Sequence, residues 1–365
     1  MMPQRILGFN PGQWLGIVLL LAIMGVGLVA VSSASQEMEA DRAFDQFLRM
    51  LLGLGAMLVV AKLPVEFLRR WSVPLFMGLL VLLILVPLVG QVRLGAQRWL
   101  VLGPLVLQPS EPMKIALILM LARLFAWSEG PPVPLRTVAT AIAVMTIPTV
   151  LIARQPDLGT ALLLFGVGSI ILFAAGVSRL FFMISGALAI TAAPVMWMFG
   201  LKDYQKQRIL TFINPESDPF GSGYHILQSK IAVGSGGVWG KGYGEGTQSH
   251  LQFLPERHTD FIFSVFAEEW GLVGSMFLLA LFGLLILWGV RSAWLARDRF
   301  GALIASGVTG MLALYIVINV AMVLGFAPVV GVPLPFISYG GSAMLTLSVG
   351  VGLLLNVRRG EVWLR

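Results

Sequence analysis

Long apolar runs separated by short polar connections occupy most of this 365-residue chain. A helix needs roughly 20 mainly apolar residues to cross a bilayer, because it rises about 1.5 Å per residue through about 30 Å of hydrocarbon. Such runs predict spanning helices at residues 13–33, 46–63, 72–90, 112–128, 135–153, 159–176, 180–200, 265–290, 301–324 and 341–357. The pattern therefore predicts an all-α integral membrane protein with about ten transmembrane helices.

The composition supports this interpretation, since 57% of the residues are hydrophobic and only 12% are charged. A soluble domain of this length could not bury so much apolar surface, so a bilayer must cover it. The sequence contains no cysteine, which excludes disulfides, thiolate metal sites and a cysteine nucleophile. The basic residues behind the net charge of +7 are scattered between the apolar runs, so the charge does not predict nucleic-acid binding.

The distribution of charge predicts the orientation in the membrane. With a cytoplasmic N-terminus, the inner flanks carry 13 basic and 4 acidic residues, and the outer side carries 12 basic and 14 acidic residues. Basic residues concentrate on the cytoplasmic side, so both termini should be cytoplasmic. The first apolar run, Trp14 to Val31, is longer than the roughly 7 to 15 apolar residues of a signal peptide, so we expect it to be a retained helix.

A large extracellular loop, residues 201–264, joins the seventh and eighth spans and is the least hydrophobic part of the chain. It predicts two short helices, at 205–212 and 224–233, followed by a glycine-rich stretch from Gly234 to Gly246. Loops of this length inside compact proteins are usually functional or disordered. Because this one mixes apolar and polar residues, we expect it to fold on the membrane surface and to carry the chemistry.

The most informative charged cluster contains Glu256, Arg257, His258 and Asp260, at the outer mouth of the eighth span. A solvated loop without a chemical role is the alternative interpretation. Glu268 and Glu269 lie further along the same span. An ionisable group inside the apolar layer is costly, so these two side chains should face the interior of the bundle or a water-filled cavity.

The connection between the third and fourth spans contains a second polar motif, Gln108 to Lys114. We expect Ser110 to cap the fourth helix, with Glu111 and Lys114 paired on one face. A capped helix with an internal ion pair is a sufficient structural explanation. The alternative is that Arg98 and Lys114 bind an anionic head group, as the leaving group of a diphosphate reaction would require.

Three further features have structural and functional interpretations that both stay open. Asp157 is placed to cap the sixth helix, and Asn319 lies within the ninth span, where amides usually form interhelical hydrogen bonds. The uncharged segment Pro328 to Ser342 is rich in helix breakers. Non-helical backbone at membrane depth is tolerated only beside protein or a water-filled cavity, so this segment should form a cavity wall.

The histidines do not predict a metal site. His225, His250 and His258 match no known spacing of metal ligands. A divalent cation held between substrate phosphates and one carboxylate is more compatible with the sequence.

Five motifs, in order between the spans, resemble those of the SEDS family (shape, elongation, division and sporulation), and most closely its rod-shape branch, RodA. The resemblance covers nearly the whole chain. The motifs are Gly95-Ala-Gln-Arg-Trp, Gln108-Pro-Ser-Glu-Pro-Met-Lys, Gln155-Pro-Asp-Leu-Gly-Thr, Leu254-Pro-Glu-Arg-His-Thr-Asp-Phe-Ile-Phe, and the region from Asn319 to Ser342.

The resemblance implies a peptidoglycan glycosyltransferase that polymerises lipid II for cell-wall elongation. It also implies a class B penicillin-binding protein as partner and a location in the bacterial cytoplasmic membrane. The family's catalytic aspartate maps onto Asp260. The predicted substrate-binding positions are Arg98, Glu111, Lys114, Asp157, Gln228, Ser229, His258 and Ser338. Of these, His258 belongs to the charged cluster described above.

In the implied reaction, a sugar hydroxyl of one lipid II displaces undecaprenyl diphosphate from another with inversion. A single inverting displacement needs one base, for which we expect Asp260, and charge stabilisation for the leaving group. Arg98, Lys114 or a bridging Mg²⁺ or Mn²⁺ ion would provide that stabilisation; no other cofactor is expected. A lipid II transporter and a noncatalytic scaffold are the competing functions, because many spans and intramembrane carboxylates also suit transport.

Overall fold

A computed structural model of the protein describes residues 9–36, 42–93, 96–102, 105–127, 132–218, 221–247 and 258–359. Ten long helices dominate these residues and lie at the positions of the ten predicted spans. They are α1 Pro11–Ala34, α2 Arg42–Lys62, α3 Val65–Val89, α4 Ser110–Ala126, α5 Leu135–Arg154, α6 Leu158–Ala174, α7 Arg179–Val195, α10 Ile262–Trp294, α11 Arg299–Val323 and α12 Gly341–Arg359. Eight of the described helices are long and apolar enough to cross a membrane, while α4 and α6 have 17 residues each.

Helices α4, α6, α11 and α12 form the centre of the bundle. Most of their residues are buried, because neighbouring helices surround them. Helix α12 packs along α2, where small residues allow close approach. A Cβ atom on Gly53 would lie 2.6 Å from the Ser348 hydroxyl, and one on Gly352 would lie 2.6 Å from the Met57 carbonyl oxygen. Helix α7, by contrast, buries none of its residues and continues into a π-helical turn at Met196–Gly200.

The predicted loop between α7 and α10 contains both expected short helices, α8 Asp203–Ile213 and α9 Ser222–Ser235, with a 3-10 turn at Pro215–Ser217 between them. Sequence patterns did not predict a small antiparallel sheet between α3 and α4. Its strands are β1 Gln91–Arg93, β2 Ala96–Leu102 and β3 Leu105–Leu107, in the order β1-β2-β3. We call the side of the bundle that carries the sheet, α8 and α9 the loop side.

Helix α10 is broken at Gly271, whose φ of 64° and ψ of −163° are accessible almost only to glycine. The glycine-rich stretch after α9 packs against this break. Lys241 and Gly242 donate backbone hydrogen bonds to the carbonyls of Glu268 and Glu269, each at 3.0 Å. Leu272 and Val273 in turn donate to carbonyls of the same stretch. The backbone groups released by the break are therefore satisfied within the protein, as membrane depth requires.

One local prediction was wrong. Ser110 is the first residue of α4 and not its cap, and within the described residues no side chain caps this helix. The reason is that Pro109 already has helical dihedrals, with φ −63° and ψ −23°, and its carbonyl accepts a hydrogen bond from Met113. The helix therefore begins one residue earlier than a serine cap would allow.

Candidate active site

Three consecutive backbone carbonyls hold the segment that carries Asp260. The carbonyl of His258 accepts from the Tyr339 amide at 2.9 Å, and that of Thr259 accepts from the Ser338 hydroxyl at 2.6 Å. The carbonyl of Asp260 accepts from Nδ2 of Asn319 at 2.9 Å. We call these three bonds the carbonyl rack. It fixes the main chain at the start of α10 without using the Asp260 side chain.

Both polar side chains of the rack also bind the breaker-rich segment between α11 and α12. Nδ2 of Asn319 donates to the Val332 carbonyl at 2.8 Å, and the Ser338 hydroxyl accepts from the Leu334 amide at 2.8 Å. Asn319 of α11 thus bonds two non-helical segments, and no hydrogen bond from it to another helix is among these contacts. Ser338, predicted to bind substrate, contacts backbone groups of the protein.

The Asp260 carboxylate lies beside a glycine. A Cβ atom built on Gly331 would be 3.5 Å from Oδ2 of Asp260, and the φ of Gly331 is +69°. Side chains other than glycine rarely adopt that conformation. The breaker-rich segment therefore presents bare backbone next to the carboxylate.

Arg98 and Asp157 form one flank of the site. The Arg98 guanidinium donates to the Gln155 carbonyl at 3.1 Å and to the Pro156 carbonyl, and it lies 3.8 Å from Oδ2 of Asp157. Oδ1 of Asp157 caps α6 by accepting from the Thr160 amide at 3.2 Å, which confirms the predicted cap. The Arg98 side chain is 27% exposed, so part of it faces outward.

This flank adjoins Asp260 through backbone contacts. A Cβ atom on Gly159, in the first turn of α6, would collide with the carbonyl of Val330. Val330 precedes Gly331, which lies against the Asp260 carboxylate. Asp157 and Asp260, about a hundred residues apart in sequence, are therefore linked through one short backbone segment.

Glu111 and Lys114 form a buried ion pair with Nζ to Oε1 at 2.5 Å, as their spacing predicted. Tyr315 of α11 completes the cluster. Its hydroxyl accepts from Lys114 and donates to Oε2 of Glu111 at 3.0 Å. Lys114 is only 1% exposed, so its charge is satisfied inside the protein in this structure.

The two predicted positions on α9 differ in their surroundings. Ser229 is fully buried, and its hydroxyl contacts the Ser264 hydroxyl and the Val323 carbonyl, each at 2.7 Å. It thereby ties α9 to α10 and α11. Gln228, its neighbour, is half-buried.

A second cationic flank, which sequence reasoning missed, lies on the other side of His258. Arg42 donates to Nε2 of His258 and sits over the ring of Tyr339, with its guanidinium carbon 5.4 Å from the ring centroid. Arg49 sits over the same ring at 4.0 Å. The seven-residue spacing of the two arginines, which places them on one face of α2, was the available signal.

The intramembrane carboxylates face the interior, as predicted. Oε1 of Glu268 pairs with Lys241 at 2.7 Å and accepts from Thr247 at 3.1 Å. Glu269 accepts from the Ser33 hydroxyl. These groups tie the glycine-rich stretch and α1 to α10. The predicted residues Glu256, Arg257 and His250 lie outside the described residues.

The arrangement places one carboxylate beside the backbone of Gly331, with Arg98 and Arg42 linked to the surrounding segments. A carboxylate in this position can accept a proton from a bound hydroxyl, and nearby guanidinium groups can neutralise phosphate. Across the part of the chain that the structure describes, no three histidine or carboxylate groups come together as they would in a metal site.

Comparison with known proteins gives matches over nearly the entire chain. The FtsW/RodA/SpoVE family model, described as cell cycle protein, matches residues 13–362. Peptidoglycan glycosyltransferase MrdB of Escherichia coli K12 is 44% identical over 342 residues, which cover 93% of this chain and 91% of MrdB.

Two solved structures show the same fold. A chain from work on the structural coordination of polymerization and crosslinking by a peptidoglycan synthase complex superposes with a TM-score of 0.82 and 33% identity. Rod shape determining protein RodA of Thermus thermophilus superposes with a TM-score of 0.72 and 31% identity. Each comparison covers 95% of this chain and 97% of the other.

Proposed function

The chain belongs to the FtsW/RodA/SpoVE family, that is, the SEDS family, and on that premise we propose that it is a peptidoglycan glycosyltransferase that polymerises lipid II for cell-wall elongation. The observation that carries the assignment of the site is the Asp260 carboxylate, held by the carbonyl rack beside Gly331 and flanked by cations. A polymerase of this kind needs a base and compensation for diphosphate charge. The site supplies both.

The chemical step is one inverting displacement. The 4-hydroxyl oxygen of the acceptor's terminal sugar forms a bond to the anomeric carbon of the donor, and its proton passes to the Asp260 carboxylate. The bond from the anomeric carbon to the phosphate oxygen breaks, and undecaprenyl diphosphate leaves with the electron pair. The carboxylate acts as a general base, so no covalent sugar–enzyme intermediate is needed.

Arg98 is the cation we assign to the leaving group, because its guanidinium is partly exposed and is oriented by Asp157 and two carbonyls. Preorganised donors of this type stabilise charge that develops in the transition state. The buried cluster of Glu111, Lys114 and Tyr315 supports the site from within the bundle. His258 and Gln228 stay in the proposal as substrate contacts, and Ser229 and Ser338 position the backbone around them.

A divalent cation, Mg²⁺ or Mn²⁺, would be held by the substrate diphosphate and one carboxylate of the site. When bound, it would neutralise phosphate charge. Within the described residues no protein-built cage of three or more such ligands occurs, so we assign this ion to the substrate complex.

The chain acts with a class B penicillin-binding protein, whose transpeptidase crosslinks the new strands. The similarity to a chain of a peptidoglycan synthase complex supports this pairing. We place the protein in the bacterial cytoplasmic membrane as a multi-pass protein, with its loop side outward and both termini in the cytoplasm. The excess of basic residues on the opposite side supports this orientation.

The decisive experiment is polymerisation of lipid II by the purified protein in detergent, with and without the penicillin-binding partner. Transport requires two separated sides, which detergent abolishes, so product formation distinguishes a polymerase from a transporter. We expect Asp260→Asn to lose at least about a hundredfold in rate, because general-base catalysis typically contributes roughly 10² to 10⁴.

Asp203→Asn is the matched control, since Asp203 is an exposed carboxylate on the same side, at the start of α8. It should keep the wild-type rate. If folded, partner-bound Asp260→Asn stays within about threefold of wild type, far from the loss expected for a general base, then Asp260 is not the base.

A further inference from the structure

We propose that Arg42 and Arg49, stacked over Tyr339, form a binding site for a second lipid-linked diphosphate, separate from the one assigned to Arg98. The proposal rests on the proposed function and deepens it, because polymerisation brings two lipid-linked substrates to one base. Each substrate carries its own diphosphate. A single cationic flank would serve only one of them.

The contact with Tyr339 leaves Arg49 able to bind phosphate. A cation–π contact does not use the guanidinium N–H groups for hydrogen bonds to a protein acceptor. Those donors match phosphate oxygens in bidentate geometry. Among the described residues, Arg49 makes no hydrogen bond or salt bridge, and its guanidinium carbon lies 4.0 Å from the centroid of the Tyr339 ring.

The local charge also favours an anion. Two guanidinium groups converge on one ring, and among the described residues the acidic group in contact with that ring is Asp45, which accepts from the Tyr339 hydroxyl at 3.3 Å. His258 contributes an acceptor nitrogen to Arg42. Counted over the described residues, two cations face one carboxylate in a half-buried location, where a diphosphate would reduce the repulsion between the arginines.

The position of the cluster connects it to the reaction. Tyr339 donates its backbone amide to the His258 carbonyl, two residues before Asp260. Arg98 is linked to the same aspartate by a separate series of contacts, through Asp157, Gly159 and Gly331. Two cationic groups are therefore linked to the base by different contacts. This is the arrangement that a reaction between two diphosphate-bearing lipids requires.

The test measures binding of undecaprenyl diphosphate to the full-length protein in detergent, together with initial rates against lipid II concentration. We expect Arg49→Gln to weaken binding at one site and raise KM at least about tenfold, since a hydrogen bond to a charged group contributes roughly 1.5 to 3 kcal/mol, or about tenfold per 1.4 kcal/mol. Arg49→Lys should recover part of the affinity, because it keeps the positive charge. It should not recover all of it, because lysine lacks the planar, bidentate donor geometry of arginine.

Arg208→Gln is the matched control, because Arg208 is a half-buried arginine on α8 and lies outside both cationic flanks. It should leave KM and binding unchanged. Thermal stability without ligand is measured for every variant. A loss of stability would show that the two arginines have a structural role. Inorganic pyrophosphate and phosphatidylglycerol are tested as competitors of undecaprenyl diphosphate binding. We expect inorganic pyrophosphate to compete and phosphatidylglycerol not to compete.

Three results would overturn the proposal. Wild-type affinity and KM in folded Arg49→Gln would show that Arg49 does not bind diphosphate. Loss of thermal stability with unchanged affinity would reduce the arginines to a structural clamp. Stronger competition by phosphatidylglycerol would assign the site to a bilayer lipid. Absence of polymerisation by the wild-type protein with its partner is a separate outcome, which challenges the proposed function itself.

Discussion

At the scale of single residues, the buried pair of Glu111 and Lys114 shows how a residue in a motif can act without touching a ligand. Both charges lie inside the bundle and share Tyr315 as a partner. Removing one member of a buried ion pair leaves an uncompensated charge, which costs about 3 to 5 kcal/mol. The requirement for Lys114 should therefore appear first as a requirement for stability.

We expect Lys114→Met to lower the thermal unfolding midpoint strongly, and the double variant Glu111→Gln with Lys114→Met to recover much of the loss. Replacing both members of a buried pair is often close to neutral, which gives the double variant its value as a control. The measurement is thermal unfolding in detergent. A stable Lys114→Met protein with weakened substrate binding would instead favour a direct ligand role for Lys114.

The residue scale also shows what local sequence can predict. The Asp157 cap and the pairing of Glu111 with Lys114 follow from spacing, because both involve residues three positions apart on a helix. The contacts of Arg42 with His258 and Tyr339 join residues more than two hundred positions apart. The spacing of Arg42 and Arg49 could have placed them on one face of α2, but no local pattern encodes their contacts with His258 and Tyr339, which only the fold shows.

At the scale of elements, the break in α10 is the feature that hydropathy did not predict. A single glycine inside an apolar run usually stays helical, so Gly271 carried no signal by itself. Its conformation depends on the distant glycine-rich stretch, where Gly240 approaches so closely that a Cβ atom on Gly271 would meet the Gly240 amide nitrogen. The three short strands escaped prediction for a related reason: each is short and lies between stronger helical signals.

We expect Gly271→Ala to destabilise the protein, because the backbone conformation costs about 1 to 3 kcal/mol for a residue with a side chain and the added carbon collides with Gly240. Gly283→Ala is the matched control. Gly283 lies in the same helix, and a Cβ atom there would meet nothing within 4 Å. This substitution should be neutral or stabilising. Equal unfolding midpoints for the two variants would contradict the glycine requirement at the break.

At the scale of the whole molecule, the ten spans and the loop between α7 and α10 were predictable because the bilayer imposes length and apolarity on every crossing. The packing of the spans was not, since apolar helices carry little information about their neighbours. The loops divide cleanly between two sides. The sheet, Asp157 and Asp260 lie on the loop side, and the Arg69–Asp298 ion pair, at 2.8 Å, lies on the opposite side.

The proposed orientation can be tested by labelling, since the chain has no native cysteine. We expect a cysteine at Asp218, on the loop side, to react with an impermeant thiol reagent. The reagent is applied to cells whose outer barriers have been removed and whose cytoplasmic membrane is intact. A cysteine at Arg297, an exposed residue in the connection before α11, should react only after the membrane is opened. The reverse pattern would place the site in the cytoplasm.

The carbonyl rack has a consequence for genetics. Its three bonds hold main-chain oxygens, so they are indifferent to which side chains stand at positions 258 to 260. An allele that changes only Asp260 should therefore produce a chain that folds, inserts and occupies its transpeptidase as well as the normal chain does. In a cell carrying both alleles, the inactive variant would compete with the normal chain for that shared transpeptidase, and the defect would be dominant.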